Sequence, residues 1–128
     1  MQIEEIRDIA VAALEEIKAR DIVVLDVKKL TALFDYMIVA SGDSGRQTKA
    51  LARNVHDKVK ASGGQVVGLE GEQTGEWVLV DLGGVVVHIM QPAIREYYSL
   101  EELWGGQAPR RVVPLRRPAD FPGGVARP

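Results

Sequence analysis

The chain has 128 residues, 46% of them hydrophobic and 27% charged, with a net charge of -2; this is the make-up of one globular domain able to bury about two-thirds of its unfolded surface. It contains no cysteine, which excludes disulfides and cysteine metal sites and fits a reducing compartment. No apolar run approaches the ~20 residues of a membrane span, and the start, MQIEEIRDIA, is acidic where a signal or transit peptide is basic, so a cytoplasmic protein without a membrane partner is expected.

Residues 2 to 19 set Ile3, Ile6, Ala10, Ala13, Leu14 and Ile17 at helical spacing, with Glu4, Glu5, Asp8, Glu15, Glu16 and Lys18 mostly opposite. This predicts an amphipathic helix that needs a partner surface. IVVLDV (22 to 27) and YMIVASG (36 to 42) read as strands buried on both faces, joined by a short connection. Ser44 with Gln47 fits a capping box opening a helix along Leu51, Val55 and Val59, which Gly63-Gly64 end. QVVGLEG (65 to 71) predicts a third strand.

Residues 76 to 90, EWVLVDLGGVVVHIM, predict a hairpin turning on Gly83-Gly84. That register sets Leu82 opposite Val85, Asp81 opposite Val86, Leu79 opposite His88 and Trp77 opposite Met90. Alternation then gives one aliphatic face (Val78, Val80, Leu82, Val85, Val87, Ile89) and one mixed face (Trp77, Leu79, Asp81, Val86, His88, Met90). The first is core. The second has the composition of a surface that meets something, or alternatively of one covered by a helix with Asp81 and His88 hydrogen-bonded inside. Asp81 and His88 form a diagonal pair, for which a hydrogen bond raising the imidazole pKa is expected. Pro92 opens a helical turn to Tyr98, and Ser99 with Glu102 predicts a second capping box for a short helix ending at Trp104. In that helix Leu100 and Leu103 read as core. Beyond Gly105, five of six prolines and five arginines predict a disordered basic tail. The order is an α/β (α+β) arrangement with a mixed five-stranded sheet and flanking helices; residues 1–105 form the domain and 106–128 the tail.

Charge is uneven. From Val66 to Trp104 seven carboxylates accompany one cation, Arg95, which favours a basic partner and disfavours phosphate-backbone binding by this part of the fold. Trp77, Tyr97, Tyr98 and Trp104 lie in the same third, describing an apolar centre with an acidic rim. Gly42-Asp43-Ser44-Gly45 is a weak signal for a serine nucleophile, and the capping role explains Ser44. As a phosphate cradle the same turn lacks the paired carboxylates that hold magnesium, since the following strand offers only Glu70. His56 has no ligand at helical spacing. No catalytic residue, metal or cofactor is therefore expected.

Three segments, FDYMIVASGDSGRQ (34 to 47), LEGEQTGEWVLVDLGGVVVHIM (69 to 90) and IREYYSLEELWG (94 to 105), together resemble the ribosomal silencing factor, or Iojap-like, family. The resemblance covers residues 3 to 105, with the Pro/Arg tail after Gly106 outside the family's common core. It implies a nucleotidyltransferase-like scaffold without catalytic carboxylates, and a homodimer. It further implies binding to a basic protein of the large ribosomal subunit, the fourteenth, which blocks subunit joining and represses translation when nutrients are short. Carried onto this chain, the positions assigned to partner contact are Glu70, Trp77, Asp81, His88, Arg95, Tyr97, Tyr98 and Trp104. The alternatives are a large-subunit assembly factor, including one contacting RNA through the arginine tail, and a nucleotide-binding enzyme using Ser41 to Arg46.

Overall fold

The computed structural model describes the backbone of residues 1–105 and 110–112 and the side chains of residues 1–103. In chain order the elements are α1 (Ile3–Glu16), β1 (Arg20–Asp26), β2 (Tyr36–Ser41), α2 (Gly45–Ala61), β3 (Gly68–Glu70), β4 (Trp77–Asp81), β5 (Val85–Met90), α3 (Pro92–Tyr98), α4 (Leu100–Gly105) and β6 (Arg110–Val112). The sheet runs β3-β4-β5-β2-β1-β6. Among the described strands only β2 and β5 pair in parallel, so the sheet is mixed. The expected five strands are there, and the sixth is an addition. Residues 110–112, expected to be disordered tail, pair with β1 at its outer edge; the rest of the tail lies outside the described residues.

The continuous apolar runs of β1 and β2 are covered on both faces, with β2 beside β5 in the middle of the sheet and β1 next outward; every residue of β2 is buried. On one side Leu14 of α1 and Leu51, Val55 and Val59 of α2 pack onto Ile38, Val78, Val80, Val85, Val87 and Ile89. On the other, Val23, Leu25, Val27, Met37, Val39 and Met90 form a smaller core beneath Phe34, Trp77, Ile94 and Leu100. The amphipathic first helix thus finds its partner surface inside the domain.

The hairpin register is the expected one, with Trp77 opposite Met90, Leu79 opposite His88 and Asp81 opposite Val86. All six side chains of the aliphatic face are at most 4% exposed. At about 1.5–3 kcal/mol per buried side chain, a one-residue slip forfeits on the order of 10 kcal/mol, so burial decides the pairing. Gly83 takes φ +86°, as the tight turn requires. Gly84 is needed for space instead: a Cβ there would lie 2.7 Å from Ile3 Cδ1, since α1 starts directly over the turn.

Local signals came out unevenly. Ser44 Oγ accepts from the Gln47 amide at 3.1 Å, as a cap should, but the Gln47 carboxamide bonds the Asp43 amide rather than that of Ser44, and its nitrogen reaches the Ile17 carbonyl. The second capping box does not form. Ser99 sits in the left-handed region as the C-cap of α3, and its hydroxyl donates back to the Glu96 carbonyl. α1 ends at Glu16, short of the expected residue 19, because Lys18 turns the chain with φ +63°. The third strand shrinks to three residues; of the preceding stretch, Val67 still donates to the Asp81 carbonyl.

Candidate functional site: a half-open aromatic and acidic face

The side of the sheet away from α1 and α2 is only partly roofed. α3 and α4 place Ile94 and Leu100 over the smaller core, leaving the β3-β4-β5 half half-exposed. Alternation brings Trp77, Leu79 and Asp81 of β4 and Val86 and His88 of β5 to this open half. Glu70, paired with Leu79, joins them at the edge.

Trp77 is the centre. Its indole N–H donates to His88 Nδ1 at 2.9 Å, and its ring lies 4.8 Å from that of Tyr98, centroid to centroid. Tyr97 meets Tyr98 edge-on at 5.0 Å. Three aromatic rings thus run from the sheet out along α3, where Tyr97 is 80% exposed. An exposed ring of this size, continuous with half-buried ones, is the usual make-up of an interface anchor.

The expected Asp81–His88 hydrogen bond is not made. Asp81 Oδ1 instead accepts from the Gly83 amide at 2.9 Å, bracing the turn, while His88 serves Trp77. Burial then disfavours the charged ring and pushes the His88 pKa down, to about 4, the reverse of the expected direction. An indole N–H only donates, so Nδ1 must be the acceptor and His88 is neutral, with its proton on Nε2.

Arg95 also departs from expectation. Its side chain is 10% exposed, forming an ion pair with Glu101 and donating to Ser41 Oγ at 2.8 Å. It clamps α3 and α4 onto the end of β2 rather than facing outward. Leu103, read as core, is 77% exposed, whereas Leu100 is packed. The side chain of Trp104 lies outside those described. Leu79 and Val86 were absent from the expected contact residues, although the hairpin alternation already put them on this face. Next to Arg95, an open depression of about 380 Å³ is lined by Glu96, Glu101 and Glu102, extending the acidic border.

The turn before α2 is filled. Gly42 N–H bonds the Met90 carbonyl, Asp43 N–H bonds Gln47, and the backbone of residues 74–75 sits against Gly45. A Cβ on Gly75 would lie 2.8 Å from Gly45 Cα, and Thr48 Oγ1 donates to the Gly75 carbonyl. Of the amides around this turn, those of Gly42, Asp43 and Gln47 are thereby already hydrogen-bonded within the chain. Among the described residues, no three of His, Cys, Asp and Glu gather as metal ligands, and no helix is long and apolar enough to cross a membrane.

A family model described as "Ribosomal silencing factor during starvation" matches residues 1–122. The chain belongs to the ribosomal silencing factor family. A ribosomal silencing factor RsfS of Chromobacterium violaceum is 57% identical over 92% of this chain and 97% of its own length. That of Bacillus subtilis is 42% identical over 82% and 89% respectively. A crystal structure of a Chromobacterium violaceum protein superposes with a TM-score of 0.81 at 57% identity, covering 92% of this chain and 98% of that one. A mouse protein named mitochondrial assembly of ribosomal large subunit protein 1 is 35% identical over 76% of this chain, but over only 44% of its own. The silencing-factor match runs past Gly106 and includes β6, so the tail does not begin where the shared sequence ends.

Proposed function

We propose that the protein is a non-enzymatic, cytoplasmic repressor of translation that docks its half-open face on a basic protein of the large ribosomal subunit, the fourteenth, and so prevents the small subunit from joining when nutrients are short. Family membership supports the silencing role. The observation that carries the docking is the Trp77–Tyr98–Tyr97 ridge beside the exposed carboxylates Glu70, Glu76, Glu96 and Glu102. An apolar centre with an acidic rim fits a basic protein surface and is ill-suited to bare phosphates. Leu79 and Val86 fill the centre between the ridge and the edge strand, Asp81 braces the turn beneath it, and Arg95 holds α3 in place. A homodimer is part of the same proposal, to be read from the mass in solution.

The test is sedimentation of the protein with separated subunits, followed by adding the subunits back together. Comigration with large subunits and a reduced joined peak is the expected result. Comigration with joining intact favours a role in large-subunit assembly, the reading suggested by the name of the mouse relative. Failure to comigrate removes the docking proposal.

A further inference from the structure

The side of the molecule opposite the aromatic face carries the other unusual charge distribution. Of eleven Lys and Arg residues in 1–105, five lie on α2 (Arg46, Lys49, Arg53, Lys58 and Lys60) with one carboxylate, Asp57; the remaining six cations are spread among sixteen carboxylates. α2 is a cationic island in an acidic domain.

Its geometry is ordered. Leu51, Val55 and Val59 face the sheet, while Asn54 donates to the Ala13 carbonyl and Lys58 pairs with Glu16, so that flank belongs to α1. On the other flank Arg46, Lys49, Arg53, His56 and Lys60 recur at steps of three and four, a row about 21 Å long at 1.5 Å per residue. Arg53 reaches Glu72 at 3.0 Å and His56 lies beside Asp57; among the described residues Arg46, Lys49 and Lys60 make no ion pair. The row presents no aromatic or large aliphatic side chain. A protein partner would want an apolar centre, which the aromatic face has and this flank lacks. Four cations along one flank, Arg46, Lys49, Arg53 and Lys60, without such a centre suit a row of phosphates.

We propose that this flank of α2 is a second interaction surface, one that lies along the phosphate backbone of double-stranded RNA. It goes beyond the docking proposed for the aromatic face and does not depend on it. Contacts of this kind carry no sequence preference and weaken steeply with salt.

The test uses the full chain and a labelled RNA duplex of about two helical turns, titrated at several salt concentrations. Arg46→Glu with Lys49→Glu should weaken binding at least tenfold and lower the slope of log affinity against log salt by about two, roughly one per cation removed. Lys28→Glu with Lys29→Glu changes net charge equally at the β1–β2 connection and should leave the duplex affinity within about twofold. Trp77→Ala should leave it unchanged while reducing comigration with large subunits, which separates the two surfaces. An equal loss in both reversed pairs overturns the proposal by making overall charge the cause. So does duplex binding that survives the α2 reversals and disappears on truncation after Gly106, or a wild-type chain that does not bind the duplex. Self-association of the wild type that the α2 reversals abolish, without duplex binding, overturns it in favour of a second copy of the chain.

Discussion

The two faces of one hairpin are built from the same ten or so residues and end in opposite states. Val78, Val80, Val85, Val87 and Ile89 are fully covered, whereas Trp77, Leu79, Asp81, Val86 and His88 on the same strands remain half-exposed. The closed face holds no side-chain polar group, and its register is decided by burial alone. On the open face two polar contacts are already made within the molecule: the indole N–H donates to His88, and Asp81 Oδ1 accepts from the Gly83 amide. What is left for a partner is ring surface and, around it, carboxylate. Pairing the polar atoms in advance lowers the ordering cost of binding, so the open face is pre-organised rather than unfinished.

The largest effect that sharpens this contrast comes from the closed side. Leu51→Ala should cost about 2–5 kcal/mol, read by urea denaturation, because the side chain is fully buried between α2 and the sheet. While the variant stays folded, its affinity for large subunits should be unchanged.

Next is the pH response of His88. The folded state favours the neutral ring, with a pKa of about 4 against the ordinary 6.5, while the unfolded chain takes up the proton near the ordinary value. This contribution is present in full above about pH 6.5 and is lost as pH falls towards 4, amounting to about 3 kcal/mol at 1.36 kcal/mol per pH unit. His88→Gln keeps an acceptor for the indole and does not titrate. The stability difference between wild type and this variant, followed by thermal unfolding across that window, should therefore move against the wild type as pH drops. A constant difference would mean that the ring is free to protonate in the folded protein.

Tyr97→Ala isolates the open face. At 80% exposure the ring contributes little to folding, so stability should stay within about 0.5 kcal/mol, while large-subunit affinity should drop by about 2 kcal/mol, roughly thirtyfold. Smallest of all is Arg53→Ala. Its pair with Glu72 is largely solvent-exposed, and breaking it should change stability by less than about 1 kcal/mol.

The parts legible in the sequence were those where one physical demand dominates. Continuous apolar runs marked β1 and β2 as strands covered on both faces, and Gly83-Gly84 with strict alternation set the hairpin pairing residue by residue. Polar partnering was not legible, because several partners compete within reach. Asp81 had both His88 and its own turn amide available, and the amide two residues on was the nearer claimant. Arg95 read as an outward cation because nothing local shows that Ser41, 54 residues earlier, lies beneath it. Ser99 matched a capping pattern but lay between two helices, where ending the first took precedence. The composition of the tail hid β6, since three residues need no core of their own when an existing edge supplies the pairing. The cationic row on α2 was present in the sequence, but the carboxylates elsewhere in the chain offset it in the net charge of -2.

The most direct measurement is sedimentation of the Trp77→Ala, Tyr97→Ala double variant with large subunits, after its circular dichroism and cooperative unfolding have been matched to a folded domain. The expected result is a folded protein that no longer comigrates and no longer reduces subunit joining. A folded double variant that comigrates and blocks joining like the wild type would contradict the assignment and remove the half-open face from the mechanism.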